Sequence, residues 1–381
     1  MGKIYTALGL MSGTSMDGVD ASIIKSDGNR EYSIKFDKYF EYGDELRQKL
    51  INIRAKIFIE DDLKSFADEI KDLDREITLF HANAVNEVLE ISKIKVDLLG
   101  FHGQTIFHNS KKKITKQLGD GKLLSQLTKK KVVYNFRQND LKNDGQGAPL
   151  TPVFHNLLAN KIRKEFNLAF PVNILNIGGI SNITITVDEK NSNYLNKIFA
   201  YDIGPGNCMI DQWIRKNSKK KYDNEGQLAR SGEIDELILN QALENFNFQT
   251  NYDQSLDIKD FDVIFAKGLS LENGAATVTE FTANLISSGI SHVSKLNKSL
   301  KNKWLVCGGG RKNKYLLERI ENNLQDLDLN LIDKYKLDGD FIESQAFAFL
   351  SIRSLKKLPI SFPNTTRCKK SSIGGVLVEN F

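Results

Sequence analysis

Two carboxylates set among glycines and hydroxyl groups are the first chemical suggestion in this chain. Residues 9–24 read Gly-Leu-Met-Ser-Gly-Thr-Ser-Met-Asp-Gly-Val-Asp-Ala-Ser-Ile-Ile, with apolar residues leading into and out of a polar turn. The pattern predicts a strand–turn–strand whose tip curls around a phosphate. Gly13 and Gly18 are expected at positive φ, turning backbone N–H groups inward on an anion. Thr14 and Ser15 add hydroxyl donors, and Asp17 and Asp20 are candidates to hold a divalent metal, directly or through water. Taken alone, the segment also reads as a plain hairpin.

Three further glycine turns follow strand-like runs: Gly178-Gly179, Gly204-Pro205-Gly206-Asn207 and Gly308-Gly309-Gly310. Singly they fit a hairpin, a helix entry and a strand-to-helix loop. Together with residues 13–18 they read as a nucleotide cradle. The first hairpin would hold the terminal phosphates from one side, and Asp202 to Asn207 would approach them from the other. Bare backbone at Gly308, Gly309 and Gly310 would let adenosine lie close. Asp202 closes a strand ahead of Gly204, so its carboxylate is expected to project into a cleft. Phosphate oxygens nearby would raise its proton affinity and suit it as a general base. The competing role is N-cap of the helix that follows.

These groups need elements to position them. Strands are expected over 5–10, 20–25 and 32–42. Leu63, Phe66, Ile70, Leu73, Ile77, Phe80, Ala84, Val88 and Ile91 then make one apolar stripe on a long helix, capped by Asp61 or Asp62. A short strand over 96–101 ends in His102-Gly103-Gln104-Thr105, and another covers 131–136. A helix opens at 147–152 and runs to about Phe166. Strand–glycine turn–strand recurs from 171 onward. Helices are expected over 277–294, 313–323 and 341–356, with a last strand-like piece at 373–378. The alternation predicts an α/β protein with mixed sheets, in two related lobes facing a cleft.

Composition narrows the function classes. At 381 residues the chain has room for two cores, and 40% hydrophobic with 27% charged residues is ordinary for a globular protein. The net charge of +5 comes with lysine clusters at 111–113, 129–131 and 219–221, which sit in polar loops without interleaved aromatics. They predict solvated surface, not a nucleic-acid partner. No apolar run approaches the roughly 20 residues of a membrane span, and the start lacks a signal pattern, so a cytoplasmic protein is expected. Cys208, Cys307 and Cys368 are too few and too far apart for a disulfide framework or a zinc site. The histidines at 81, 102, 108, 155 and 292 have no metal-ligand spacing either.

The chain resembles the anhydro-N-acetylmuramic acid kinases of bacterial cell-wall recycling. The resemblance is carried by Ser-Gly-Thr-Ser-Met-Asp-Gly-Val-Asp (12–20), Gly-Phe-His-Gly-Gln-Thr-Ile-Phe-His (100–108), Phe-Arg-Gln-Asn-Asp (136–140) and Gly-Gln-Gly-Ala-Pro-Leu (145–150). It continues in Asn-Ile-Gly-Gly-Ile-Ser-Asn-Ile-Thr (176–184), Asp-Ile-Gly-Pro-Gly-Asn (202–207), Val-Cys-Gly-Gly-Gly (306–310) and Glu343 ahead of Ala346-Phe347-Ala348. These segments span essentially the whole chain.

The resemblance implies the two-lobed fold of sugar kinases, actin and Hsp70-type ATPases, with mixed sheets around an interlobe cleft. Residues 1–130 with 357–381 would form the phosphate-binding lobe, and 131–356 the lobe carrying the base and the adenosine turn. It also implies a reaction in which ATP, water and 1,6-anhydro-N-acetylmuramic acid give ADP and N-acetylmuramic acid 6-phosphate. Asp202 would take the proton of the attacking water, and Glu343 would position that water or the sugar. The 13–20 loop, from Gly13, Thr14, Ser15 and Met16 through Asp17, Gly18, Val19 and Asp20, would hold ATP with Mg²⁺ on Asp17 and Asp20. Gly178, Gly179, Gly204, Gly206, Asn207, Gly308, Gly309 and Gly310 would complete the nucleotide site. His102, Gln104 and Arg137 would contact the sugar, with Arg137 gripping the lactyl carboxylate through two parallel N–H bonds. The partner is then a small amino sugar, and a homodimer is kept as the candidate assembly.

Four positions depart from the family pattern: Asn135, Asp144, Gln254 and Arg367. They motivate the alternative of a catalytically silent ATP- or sugar-binding sensor. A chaperone-like ATPase would lack sugar dependence altogether.

Overall fold

Apolar alternation in the sequence becomes strands β1 (Tyr5–Ser12), β2 (Gly18–Ser26), β3 (Tyr32–Glu41), β4 (Leu98–Asn109), β5 (Ile114–Leu118) and β6 (Lys131–Tyr134). Later in the chain come β7 (Val172–Ile177), β8 (Ile180–Ile185), β9 (Phe199–Pro205), β10 (Lys303–Cys307), β11 (Asp328–Leu331) and β12 (Val376–Val378). The structure is a computed structural model that describes residues 2–169, 171–246, 252, 254–296, 303–324 and 327–381.

The chain divides into two units. The first comprises Met1–Leu157, Leu195–Ile198 and Asp340–Phe381, and the second Leu158–Tyr194 and Phe199–Gly339. The boundaries expected at 130/131 and 356/357 are not the ones that sheet pairing and helix packing make. Residues 131–157 stay with the first unit, where β6 pairs in parallel with β4. Helix Ile342–Leu355 stays there too, because it lies directly on the sheet. A Cβ on Gly9 would stand 2.0 Å from the Ser344 carbonyl oxygen, and one on Gly100 2.3 Å from that of Phe347. Only glycine permits so close an approach.

The first unit's sheet has the order β12-β6-β4-β1-β2-β3, with β5 paired to β4; the second unit's has the order β11-β10-β7-β8-β9. Stretch β6-β4-β1-β2-β3 and the whole of the second sheet share one plan. In each, two parallel pairings are followed by two antiparallel ones. The repeated strand–glycine turn–strand in the sequence is thus one sheet plan used twice, and the α/β class with mixed sheets is the one expected.

Each unit has its own core. Leu8, Leu10, Val19, Ile23, Ile53, Ile77, Val85 and Phe101 pack in the first. Leu175, Ile183, Ile203, Trp213, Phe281, Trp304 and Val306 pack in the second. Truncating any of these leucines, isoleucines or aromatic residues to alanine costs about 2–5 kcal/mol by lost burial and residual cavity.

Three helices stand where one was expected after β3. Asp44–Lys56 falls in a stretch the sequence reading left unassigned, and Glu60–Ser65 is separated from Ala67–Ser92 by Phe66 at φ −107°, ψ 24°. Neither Asp61 nor Asp62 is the residue in the N-cap position. Asp62 instead reaches back to accept from the N–H groups of Phe58 (2.7 Å) and Ile59 (2.8 Å), which ties down the turn ahead of the helix. Of the apolar stripe, Ile70, Leu73, Ile77, Ala84 and Val88 are buried, Leu63, Phe66 and Phe80 are half-buried, and Ile91 is exposed. No helix among the described residues is long and apolar enough to cross a membrane.

Candidate active site

In the first unit, β1 and β2 pair antiparallel from Tyr5↔Ser26 to Met11↔Asp20, which leaves residues 13–17 as the loop at their tip. The loop is fastened from below. Its Gly13 carbonyl accepts from Gln104 Nε2 at 2.9 Å, its Thr14 carbonyl from Arg54 Nη1 at 3.2 Å, and its Asp17 carbonyl from the Tyr42 N–H at 2.8 Å and the Tyr39 hydroxyl at 2.9 Å. Within the loop the Met16 N–H also donates to the Gly13 carbonyl at 3.3 Å. Beneath the loop, the Ser12 hydroxyl lies 2.6 Å from Tyr42 OH and 3.4 Å from His81 Nε2, while His81 Nδ1 sits 2.7 Å from the Ile77 carbonyl. The Tyr42–Ser12–His81 chain was not anticipated; His81 on the buried stripe of a helix was its only trace in the sequence.

The loop's conformation differs from expectation in one respect. Neither Gly13 nor Gly18 has positive φ; Met16 does, at 54°. Gly18 is required for space: a Cβ there would stand 2.3 Å from the Phe40 carbonyl oxygen and 2.6 Å from the Tyr39 ring. The side chains of Met16 and Val19 are buried in the first core, so they anchor the loop and leave only their backbone for a ligand. Ser15 donates to Asp17 Oδ1 at 2.5 Å.

Asp17 and Asp20 act on the same two phenols. Burial raises the pKa of Tyr39 and of Tyr42, and both carboxylates add to that rise. They therefore share a neighbourhood. Among the described residues no group of three His, Cys, Asp or Glu side chains could hold a metal. Two neighbouring carboxylates do fit Mg²⁺, which commonly takes one or two carboxylates together with phosphate oxygens and water.

His102 and Arg137 meet in the same unit. Arg137 donates to His102 Nε2 from Nε (3.1 Å) and Nη2 (2.9 Å), and to the Gly147 carbonyl from Nη1 (2.8 Å). His102 Nδ1 lies 2.8 Å from the Gly103 carbonyl. Since guanidinium can only donate, His102 is neutral with its proton on Nδ1. Burial first, and the Arg137 charge second, hold its pKa well below the ordinary range. The Nε–Nη2 edge of Arg137 is thus engaged by His102. Gly147 is fixed in turn by Asp140, which accepts the Gly147 N–H at 2.7 Å and the Thr366 hydroxyl at 2.6 Å.

Gln104, fully buried on β4, holds the loop through Nε2, while its Oε1 is buried without a hydrogen-bond partner. Glu343 stands in the first turn of helix Ile342–Leu355, where the positive helix end stabilises a carboxylate. It is half-buried, whereas Ala346 and Leu350, which share its side of the helix, are fully buried.

In the second unit the glycine turns converge. The N–H of Gly206 donates to the Gly179 carbonyl (2.9 Å) and that of Asn207 to the Gly178 carbonyl (2.8 Å). A Cβ on Gly309 would lie 3.8 Å from Asn207 Nδ2, with nothing nearer. Gly308 and Gly310 are needed for a different reason from the one expected. A Cβ on Gly308, at φ 80°, would meet Asn176 Oδ1 at 2.5 Å, and one on Gly310 would meet Ile177 Cγ2 at 2.2 Å. Both seat the turn on the end of β7, and Gly309 is the one with open room. Arg311, almost fully buried, locks the turn through Asp333 (2.8 and 2.9 Å), Asp338 (3.1 Å) and the Gly308 carbonyl (3.2 Å).

Asp202 lies inside β9, which continues through Gly204 to Pro205, and pairs with Asn182 next to a bulge in β9, where Ile203 is the extra residue between the pairs Ser181↔Gly204 and Asn182↔Asp202. The N-cap alternative fails, because Asn207 occupies that position ahead of helix Cys208–Asn217. Asp202 is 7% exposed, and its Oδ2 accepts from the Ser255 hydroxyl (3.1 Å) and the Leu256 N–H (2.9 Å). Neither donor was anticipated. The Ser-Leu-Asp segment drew attention in the sequence only through the departure at Gln254 beside it.

A model of the anhydro-N-acetylmuramic acid kinase family matches residues 5–380. The anhydro-N-acetylmuramic acid kinase of Pelagibacter ubique (strain HTCC1062) is 52% identical over 383 residues, covering all of both chains. Those of Brucella canis and Agrobacterium fabrum are 37% and 36% identical, each covering 99% of this chain and 100% of theirs. Among solved structures, a hexokinase from Schistosoma mansoni complexed with glucose aligns at 10% identity with a TM-score of 0.44, covering 91% of this chain and 85% of that one.

Proposed function

The chain belongs to the anhydro-N-acetylmuramic acid kinase family and is a phosphotransferase; from that premise we propose which of its groups carry the reaction. The reaction joins two changes. Water adds to C1 of 1,6-anhydro-N-acetylmuramic acid as the C1–O6 bond breaks, and O6 takes the γ-phosphoryl group of ATP as ADP leaves. The products are N-acetylmuramic acid 6-phosphate and ADP.

Asp202 takes the proton of the attacking water. The observation that carries this assignment is the setting of its carboxylate: buried on a strand, oriented by two donors on one oxygen, and in the unit that gathers the glycine turns. A base oriented in advance removes the entropy of finding the right approach to water. Glu343 positions the water or the sugar.

The loop Gly13 to Asp20 holds the phosphates, and the turns at Gly178-Gly179, Gly204 to Asn207 and Gly308 to Gly310 hold the rest of the nucleotide. Phosphoryl transfer needs little more than alignment and charge neutralisation, which suits a loop held in place through its Gly13, Thr14 and Asp17 carbonyls. Asp17 and Asp20 would hold Mg²⁺, which supplies positive charge to the phosphate oxygens when bound. His102, Gln104 and Arg137 contact the sugar; Arg137 then presents its outer Nη groups to the lactyl carboxylate, its inner edge being engaged by His102.

We place the reaction in the cytoplasm, where ATP is available. A homodimer is the proposed assembly, supported by the exposed Val376 and Leu377 on the edge strand β12, with sedimentation velocity as its test.

The reading is tested by ADP release from ATP, Mg²⁺ and the anhydro-sugar. Turnover is expected with that sugar and not with glucose or N-acetylglucosamine. Asp202→Asn is expected to lower kcat by about 10²–10⁴-fold, the range for loss of a general base, with ATP affinity within a few-fold. Binding without ADP formation would indicate a silent sensor instead, and full activity of the variant would remove Asp202 from its role.

A further inference from the structure

Described residues on both sides of Ser255 are fastened to the second unit. Upstream, the buried Tyr252 places its ring 5.0 Å from that of His292. Downstream, Leu256 packs against the second core and Phe261 is buried within it. Asp257 and Asp260 cap each other's backbone, with Asp260 accepting the Asp257 N–H at 2.8 Å and Asp257 accepting the Lys259 N–H at 3.0 Å. Between these anchors the Ser255 hydroxyl and the Leu256 N–H point at a single oxygen, Asp202 Oδ2.

We infer that Ser255 is a positioning residue for the reaction: together with the Leu256 N–H it fixes the plane of the Asp202 carboxylate, so that one face of this buried anion is kept aimed for proton transfer. The inference rests on the assignment of Asp202 as the base. Two hydrogen bonds from a segment anchored at both ends restrict carboxylate rotation in a way that one cannot. A charge-assisted bond to a buried carboxylate is also strong enough to matter to the rate. Ser255 reaches the chemistry only through Asp202. Its loss should therefore appear in the chemical step and leave substrate binding in place.

The experiment uses the full chain and the ADP-release assay with three variants. Ser255→Ala is expected to lower kcat by about ten-fold or more, with KM for ATP and for the anhydro-sugar within about two-fold, the pattern of an interaction that matters in the transition state. Ser255→Thr, which keeps the hydroxyl, is expected to recover most of that loss. A thermal midpoint within a few degrees of the parent separates this from general destabilisation. Parent-like kcat in Ser255→Ala would overturn the inference, as would a Thr variant no better than Ala. Asp202→Asn distinguishes the two levels: if it stays active, the base assignment has failed. If it is inactive while Ser255→Ala turns over normally, only the role of Ser255 has failed.

Discussion

Arg137 donates twice to one nitrogen of His102, so a permanent cation and a neutral imidazole form one rigid unit. The pair joins β4 to the segment after β6, and the third Arg137 bond carries it on to Gly147. A side chain held this way presents its remaining N–H groups in a fixed direction, which a free arginine could not do.

Removing the guanidinium should therefore act on both folding and binding. Arg137→Ala leaves the buried Nε2 of His102 without these donors, a loss of about 1–3 kcal/mol. The expected outcome is a lower unfolding midpoint and a raised KM for the anhydro-sugar, with KM for ATP little changed. Arg137→Lys should recover part of the stability and less of the affinity, because one ammonium cannot match the fork. Chemical denaturation and steady-state kinetics on both variants check this.

Gln104 links the strand that carries His102 to the Gly13 carbonyl. Gln104→Leu removes the tether while nearly keeping the volume. It should loosen the loop and raise KM for ATP several-fold, at about 1 kcal/mol of stability for the lost bond. An unchanged KM for ATP would separate this tether from phosphate binding.

The three glycines at 308–310 should not respond alike to alanine. Gly310→Ala drives a methyl into Ile177, and Gly308→Ala adds the strain of φ 80°, so both are expected to destabilise by about 1–3 kcal/mol. Gly309→Ala has room and should fold like the parent. A selective rise in its KM for ATP would mark this position as the one that faces the nucleotide.

Stability should fall in mild acid. Burial lowers the pKa of His81 to about 4 and of His108 and His155 to about 3, from an ordinary 6.5. Above pH 6.5 these groups are neutral whether the chain is folded or not. As pH falls below 6.5 the unfolded chain takes up protons that the folded chain refuses. Stability should drop by about 1.4 kcal/mol per pH unit for each such histidine, until the folded value is reached. Denaturant midpoints between pH 7 and 5 check the slope, and His81→Gln should flatten it by one proton.

Much of this protein is written locally. Strand runs, the apolar stripe of the long helix, and the glycine turns each arise from near neighbours, and so does the twice-used order of strands around β1-β2-β3 and β7-β8-β9. The motif segments at 12–20, 202–207 and 306–310 likewise identify the family without any coordinates. Relationships across long separations were decided only by packing. Nothing near Ser255 in the sequence points to Asp202, 53 positions away. Nothing near Arg137 predicts that His102, 35 positions away, would engage its Nε–Nη2 edge. The positive φ fell to Met16, not Gly13 or Gly18, because burying the Met16 side chain holds that turn and β3 leaves Gly18 no space for a Cβ. Residue types and spacing fixed which chemical groups are present; which of them face one another depended on how sheets and helices closed around their cores.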